Sequence, residues 1–555
     1  MTTPGVGTYV RTLRYLKWRQ LFGRLWFRYC VPQAPRGTPE EICPARPTWV
    51  VPARRLASFE PPQRLTFLLV SRDLDVVGWD ATGQEPLWRY NLHYFDDLNA
   101  IGAADRAMHH AQLIDRWLSA NPPVAGVGWE PYPTSLRIVN WIKWLRTGVP
   151  SDAAWVASLW LQASWLAGRV EHHLLGNHLF ANAKALLFAG TFFAGPRAAR
   201  WRTRATALLR REIVEQILPD GGQFERSPMY QALALEDLLD LVNLLRARPD
   251  PERDDEALLA LAAQRIPAML RWLSVMSHPD GTLVKFNDTA EDIAPSTAEL
   301  LRYAADLGFA APPPPGAGLV HLADSGYVRV AAGPATAFLD VAPIGADYQP
   351  GHAHADTLSF ELSVAGQRVV VNGGTSCYGL GPQRLFERST AAHSTLELCG
   401  ADSSEVWSGF RVGRRARPRL FGVGPCAGGW QVDAAHDGYT YLRGRPEHRR
   451  RWCFGANEMT VDDQVSVPGL PGVARYLLAP HVRVTRIDGQ SWQLTVAGCD
   501  VARVTVEAGA GSVASATAAI RFGAVEPTCA LVVMLDAGHA RTRWTWNPNA
   551  HSLPD

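Results

Sequence analysis

The feature that most constrains this chain is a change of period at residues 310–316, Ala-Ala-Pro-Pro-Pro-Pro-Gly. Four consecutive prolines lack backbone N–H donors and have fixed φ, so neither a helix interior nor a central strand can run through them. Before this stiff linker, from about residue 100 to 308, apolar residues recur at helical spacing. Examples are Leu136, Val139 and Ile142, the run from Leu233 to Leu245, and the run from Ile266 to Met276. Short breaks rich in Pro, Gly and Asp separate them, which predicts a toroid of helical hairpins. After the linker the period falls to two, in runs such as 357–364, 367–371 and 493–496 bounded by Gly, Asp and Asn. The expectation is an α+β multidomain chain with four parts. Residues 1–45 form a basic amphipathic segment, 46–309 a helical toroid, 310–318 the linker and 319–555 an antiparallel β-sandwich.

Composition excludes several classes. At 555 residues, 47% hydrophobic and 19% charged, the chain can bury more than one core. A formal net charge of +2, from 55 basic and 53 acidic side chains, argues against a nucleic-acid-coating surface. The eight cysteines show no CxxC pair and no framework spacing, so they read as mostly buried thiols of a reducing compartment. No apolar run reaches the length of a membrane span, and the N-terminus has no apolar leader segment. It does carry an amphipathic stretch, with Arg14, Lys17, Arg24 and Arg28 on one face and Tyr15, Trp18, Phe22, Leu25, Trp26 and Tyr29 on the other. Such a helix either docks on its own domain with a basic outer face or lies on an anionic membrane surface.

Four clusters concentrate chemistry-bearing side chains. The segment Gly351-His352-Ala353-His354-Ala355-Asp356 leads into an apolar strand. If it is extended, His352, His354 and Asp356 share one face. The second cluster, Gly176-Asn177-His178, opens a helix, where backbone N–H groups favour an anion. The third, Asp220 to Tyr230, is a loop carrying Glu225 and Arg226, with Tyr230 at a helix start after Pro228. The fourth, Trp129-Glu130-Pro131-Tyr132 with Arg137, offers aromatics and a guanidinium suited to sugar stacking and carboxylate binding. Each also has a plainer reading, as a hydrogen-bonded His pair, an N-cap with a core His, a packing Tyr or an aromatic staple. His354, Asn372 and His393 come from neighbouring segments and could form a three-ligand metal group.

In this order the clusters resemble the heparinase II/III-like polysaccharide lyases. The matching pieces are Leu175-Gly-Asn-His, the Asp220 to Tyr230 loop, Gly351-His-Ala-His-Ala-Asp and Arg388-Ser-Thr-Ala-Ala-His-Ser-Thr. The resemblance implies an incomplete α/α toroid followed by a β-sandwich, with the active site in the cleft between them. It implies β-elimination at a uronate, with removal of the C5 proton and departure of the oxygen on C4. Asn177 and His178 would neutralise the uronate carboxylate, and Tyr230 and His352 would exchange the protons. Trp129, Tyr132, Arg137, Glu225, Arg226, Tyr378 and Arg388 are the candidate substrate-binding residues. By the same resemblance His354, Asn372 and His393 would hold a structural zinc. Asn372 stands where relatives usually have Asp, and a neutral amide attracts Zn²⁺ less.

The expected partner is an acidic polysaccharide or oligosaccharide, not nucleic acid, with no organic cofactor. The missing leader points to the cytoplasm or the inner membrane face and to bacterial surface or capsular polysaccharide, with the periplasm left open. The competing classes are a non-catalytic carbohydrate-binding or assembly protein on this scaffold, and a glycoside hydrolase using Glu225 and Asp356.

Overall fold

The computed structural model describes residues 5–547 apart from 36, 40, 45 and 47. The ends of the first and last expected parts, 1–4 and 548–555, therefore lie outside the described residues, as do positions 36, 40 and 45 of the N-terminal segment.

The helical half is built from long helices, among them Pro131–Leu145, Ala153–Gly168, Gly176–Phe192, Gly195–Gln216, Pro228–Arg246 and Arg253–Val275. Their starts follow from local chemistry. Pro131 and Pro228 occupy first turns, where a missing N–H costs nothing, and Asp152 and Ser227 cap the next helices with side-chain oxygens. The helices share one continuous core that includes Trp88, Trp117, Trp141, Leu186, Leu239 and Leu270. One element is additional to the expected helices: a three-stranded antiparallel sheet, Phe59–Glu60, Arg64–Phe67 and Val70–Asp73.

Residues 310–316 carry neither helix nor strand. Beyond them, five strands from Gly318–Leu322 to Gln367–Val370 form an antiparallel meander. An eight-stranded sheet and a four-stranded sheet follow, packed around a second core containing Phe360, Trp452, Tyr476 and Trp544. The expected strand at 357–364 begins only at Phe360. The segment 352–358 before it is irregular, so His352, His354 and Asp356 are not aligned by strand alternation.

The two halves are joined by apolar and polar contacts. Trp272, Met276 and Phe286 pack with Leu322, Tyr327 and Phe338 in a shared apolar cluster. Around it, Asp220 accepts from the backbone N–H of Ser325 at 2.7 Å, and His278 bonds Glu361 at 2.7 Å and Ser363 at 2.8 Å.

The N-terminal helices Val6–Leu13 and Trp18–Tyr29 bridge both halves. Arg11 pairs with Glu405 of the β half at 2.7 Å, and the Gln20 side chain donates to the Tyr348 carbonyl at 3.0 Å. Lys17 pairs with Glu215 of the helical half, and Arg169 donates to the Phe27 carbonyl at 2.7 Å. The expected basic outer face is thus corrected in part, since Arg14 and Arg28 stay exposed. Lys17 and Arg24 turn inward because Glu215 and a polar cleft lie beneath them, and the aromatic side faces out. The cysteine expectation is also corrected. All eight are unpaired and none is fully buried, with Cys30, Cys399 and Cys499 exposed.

Candidate active site

A cleft of about 810 Å³ opens between the two halves, lined by Asn177, His178 and Tyr230 from the helices and by His352 and Tyr378 from the β half. Residues far apart in sequence thus meet around one space the size of a small oligosaccharide.

Asn177 and His178 stand in the first turn of the helix Gly176–Phe192. The chain enters this helix through Leu175 at φ 63° and Gly176 at φ 53°. A Cβ at Gly176 would lie a tight 3.1 Å from the Glu225 carboxylate, and the positive φ favours glycine here. His178 Nδ1 donates to Glu171 at 3.1 Å. Burial alone would lower the His178 pKa, but Glu171 and then Glu225 more than offset it, and the pKa is raised above the ordinary value. The helix start therefore presents an imidazole that favours its cationic form. Glu171 escaped the sequence reading. It is held by reciprocal bonds with Asn182, whose amide oxygen accepts from its N–H at 2.8 Å and whose amide nitrogen donates to its carboxylate at 3.2 Å.

Tyr230 is fixed by the Ser227 cap, whose hydroxyl accepts the Tyr230 N–H. Its ring lies 4.0 Å from the His352 ring, and its hydroxyl meets the Tyr378 hydroxyl at 3.2 Å. Burial pushes both phenols well above the ordinary tyrosine pKa, so both are neutral proton donors. The Tyr132 ring lies 4.5 Å from His178 and lines the same cleft.

The centre of the site is a residue that the sequence reading did not single out, Asp288. Its fully buried carboxylate accepts from His352 Nδ1 at 2.8 Å, His354 Nε2 at 2.8 Å, Thr375 at 3.2 Å and Arg384 Nη2 at 2.7 Å. Burial would raise its pKa, but Arg384, His352 and His354 hold it well below the usual carboxylate range. An ionised carboxylate only accepts, so each histidine donates its bonded N–H to it. His352 Nε2 is then left as the basic nitrogen on the far side, 3.6 Å from Glu225. The only hint of Asp288 in the sequence is the Asn287-Asp288 pair. Asn287 adopts φ 54°, and its side chain accepts the His354 N–H at 3.0 Å, which ties this loop to the histidine segment.

Several expected substrate contacts are corrected. Trp129 is buried in the helical core, its carbonyl accepting from Trp165. Arg137 is also fully buried, donating to Gln162 at 2.9 Å and stacked 4.0 Å above Trp117. Arg226 turns away from the cleft to the carbonyls of Ser325 and Gly345 and braces the two halves. Arg388 is fully buried and donates to the Ala353 carbonyl at 2.9 Å, fixing the backbone between the two histidines. Glu225 lies under the cleft floor, where burial raises its pKa despite His352 and His178 nearby. Asp356 is buried and accepts from the Asn287 N–H, so Glu225 and Asp356 do not face each other across a cleft as a hydrolase pair would. Tyr132 and Tyr378 are the expected binding residues that line the cavity.

His354, Asn372 and His393 do meet, next to the cleft. The His354 and His393 rings are 5.2 Å apart, and His393 Nδ1 bonds the Asn372 side-chain oxygen. Burial lowers the pKa of His354 to about 4 and of His393 to about 3, so both are neutral. Among the described residues, His354 Nδ1 and His393 Nε2 are buried without a hydrogen-bond partner. Two lone pairs with their opposite nitrogens tied to oxygens fit a metal's imidazole donors. Among the described residues no group of three His, Cys, Asp or Glu side chains is placed to hold an ion. The Asn372 oxygen is spent on His393 Nδ1 and the Gly373 N–H, so the two imidazoles are the donors this arrangement offers.

Family models match both halves of the chain: the heparinase II/III N-terminus over residues 110–307 and the heparinase II/III-like C-terminal domain over 314–546. The chain belongs to the heparinase II/III family. Similar curated proteins are the heparin-sulfate lyase of Pedobacter heparinus, 24% identical over 391 residues, and that of Bacteroides stercoris, 26% identical over 208 residues. The first alignment covers 61% of this chain and 56% of the relative, the second 31% of each. The chain therefore spans little more than half, or about a third, of the length of these relatives. Among solved structures, heparinase III superposes with a TM-score of 0.63 at 16% identity, covering 83% of this chain and 76% of that one. A mutant of the Pedobacter heparinus heparan sulfate lyase gives 0.59 at 18% identity, covering 83% and 77%. These likenesses establish the fold, an α/α toroid with a β-sandwich.

Proposed function

We propose that this heparinase II/III family member is a polysaccharide lyase that cleaves an acidic, uronate-containing polysaccharide by β-elimination. The observation that carries the reading is the meeting, in one cleft, of a proton-retaining His178, a neutral Tyr230 and an Asp288-oriented His352. The uronate carboxylate sits at the helix start, where Asn177 and the cationic His178 neutralise it and lower the cost of charge developing at C5. His352 Nε2 takes the C5 proton, and the electron pair left behind forms the C4–C5 double bond as the bond from C4 to oxygen breaks. Tyr230, neutral at working pH, gives its proton to the departing oxygen. Tyr378 hydrogen-bonds the Tyr230 hydroxyl and holds it in place. The proton taken by His352 is then lost to solvent, and Tyr230 regains one from solvent.

The cleft wall suits an anionic substrate. Arg24 and Arg411 line it, and among the described residues neither has an acidic partner. The heparin-sulfate lyase names of two relatives point the same way. Within this class we favour the surface or capsular polymers of the producing cell. The test is ultraviolet absorbance of the unsaturated uronate product on a panel of glycosaminoglycans, alginates and capsular polymers. A rise on one class identifies the substrate, and no rise on any uronate polymer overturns the reading.

A structural zinc belongs to the same proposal. His354 Nδ1 and His393 Nε2 would supply its two imidazole donors, with Asn372 orienting His393, and it would supply rigidity beneath the histidine loop and take no part in the chemistry.

A further inference from the structure

The N-terminal helices present an unusual surface. In the helix Trp18–Tyr29, Trp18 is 75% exposed, Phe22 64%, Leu25 58%, Trp26 71% and Tyr29 74%. At about 100° per residue these five lie within an arc of roughly 100°, a continuous outward stripe. The preceding helix adds exposed Val6, Tyr9, Val10 and Leu13. A contiguous apolar patch of this kind marks an interaction site, because scattered exposed apolar residues do not line up. The opposite side of Trp18–Tyr29 is already used: Gln20 bonds Tyr348, Gln20 and Arg24 line the cleft, and Phe27 packs on His173 and Arg169. The helix therefore turns Gln20, Arg24 and Phe27 to the protein and its widest apolar stripe to the outside.

Charge identifies the occupant. Residues 1–39 contain seven basic residues and no acidic one, the first acidic residue being Glu40. Arg11 and Lys17 are paired and Arg24 lines the cleft, which leaves Arg14, Arg19 and Arg28 of these two helices and their link for the outer side. Arg14 and Arg28 are exposed, and on the helical wheel Arg19 and Arg28 flank the apolar stripe. Tryptophan, tyrosine and phenylalanine edged by arginine suit the boundary between anionic headgroups and acyl chains. No helix among the described residues is long and apolar enough to cross a membrane, so contact would be peripheral.

We propose that the outer face of the helices Val6–Leu13 and Trp18–Tyr29 docks on an anionic phospholipid bilayer. Because the inner face of the same element walls the cleft, docking holds the cleft at the membrane surface. This inference stands apart from the lyase reading, since it rests on the opposite face of the element.

The test is co-sedimentation of the full chain with vesicles of phosphatidylglycerol and phosphatidylethanolamine, and with vesicles of phosphatidylcholine alone. The expected result is salt-sensitive binding to the anionic vesicles with a blue shift of tryptophan emission. A Trp18→Ser, Phe22→Ser, Trp26→Ser variant is expected to bind at least about tenfold more weakly, with its thermal melt unchanged. Wild-type protein that stays in the supernatant with anionic vesicles overturns the proposal. So does a triple variant that sediments as well as wild type. A concentration-dependent dimer that the triple substitution abolishes, without vesicle binding, assigns the face to a second copy of the chain instead.

Discussion

Two buried constellations in this protein are each built from one Asp, two His and one Arg and differ in one respect. At the cleft, Asp288 joins His352, His354 and Arg384. In the β-sandwich, Asp463 joins His448 at 2.6 Å and Arg450 at 2.7 and 2.9 Å, and His448 in turn meets His436 at 3.1 Å. The second set is closed. His436 Nδ1 accepts the Gly438 N–H, and Arg450 also donates to the carbonyls of Leu358 and Ser394, tying three segments together. The first set is open: His352 Nε2 is turned away from Asp288, and His354 Nδ1 has no partner among the described residues. The difference teaches that an Asp–His–Arg network is not itself a catalytic signature. A nitrogen left unspent beside a cavity separates a reactive network from a brace.

Substitutions can break that contrast, and the largest effect is expected at His352. His352→Ala should lower turnover by about 10² to 10⁴-fold with a nearly unchanged melt. His448→Ala should lower the melting temperature and leave the turnover of folded molecules near wild type. Equal turnover losses in both would abolish the distinction.

The aspartates come next. Asp288→Asn and Asp463→Asn each leave a buried arginine without its counter-charge, at a cost of about 3–5 kcal/mol. Only Asp288→Asn should also stop turnover, which urea melts paired with rate assays would reveal. Both carboxylates have pKa values held below the ordinary range, chiefly by Arg384 and Arg450 acting against burial. Their stabilisation is therefore full above the ordinary carboxylate range and fades as pH falls through the folded values. Either variant should flatten the acid side of the stability curve.

Tyr230→Phe should reduce kcat by about 10²-fold or more with KM largely kept, as for a lost proton donor. A rise in KM alone would make Tyr230 a binding residue.

Smaller effects test the outer parts of the site. Glu171 raises the His178 pKa, so the alkaline limb of the kcat/KM profile should move to lower pH in Glu171→Gln. An unmoved limb would remove His178 from the titration. Asn372→Asp should raise zinc per chain by elemental analysis, since a carboxylate beside the two imidazoles attracts Zn²⁺ more than a neutral amide does. No gain would leave His354 and His393 as a hydrogen-bonded brace.

Much of this was legible in the chain itself. The proline run and the change of period fixed a helical half and a strand half, because period and proline chemistry are local. The motif order pointed to Asn177, His178, Tyr230 and His352, and these now line one cleft. What could not be read was which polar residues the fold would bury. Arg137 and Arg388 look like surface cations in sequence but are spent inside on Gln162 and on the Ala353 carbonyl. Glu171 and Asp288 carry no motif, because their importance lies in which histidine they reach across 7 and 64 residues.

The N-terminal helix makes the same point. Its amphipathic pattern was plain from the order of residues, but pattern alone gives two faces without saying which is outside. Only the position of Glu215, Tyr348 and the cleft beneath it decided that Lys17, Gln20 and Arg24 go in and the stripe from Trp18 to Tyr29 out. Sequence determines what each segment can pair with, through local period and side-chain chemistry. Tertiary structure decides which partner is there, because burial and contact are set by segments hundreds of residues away.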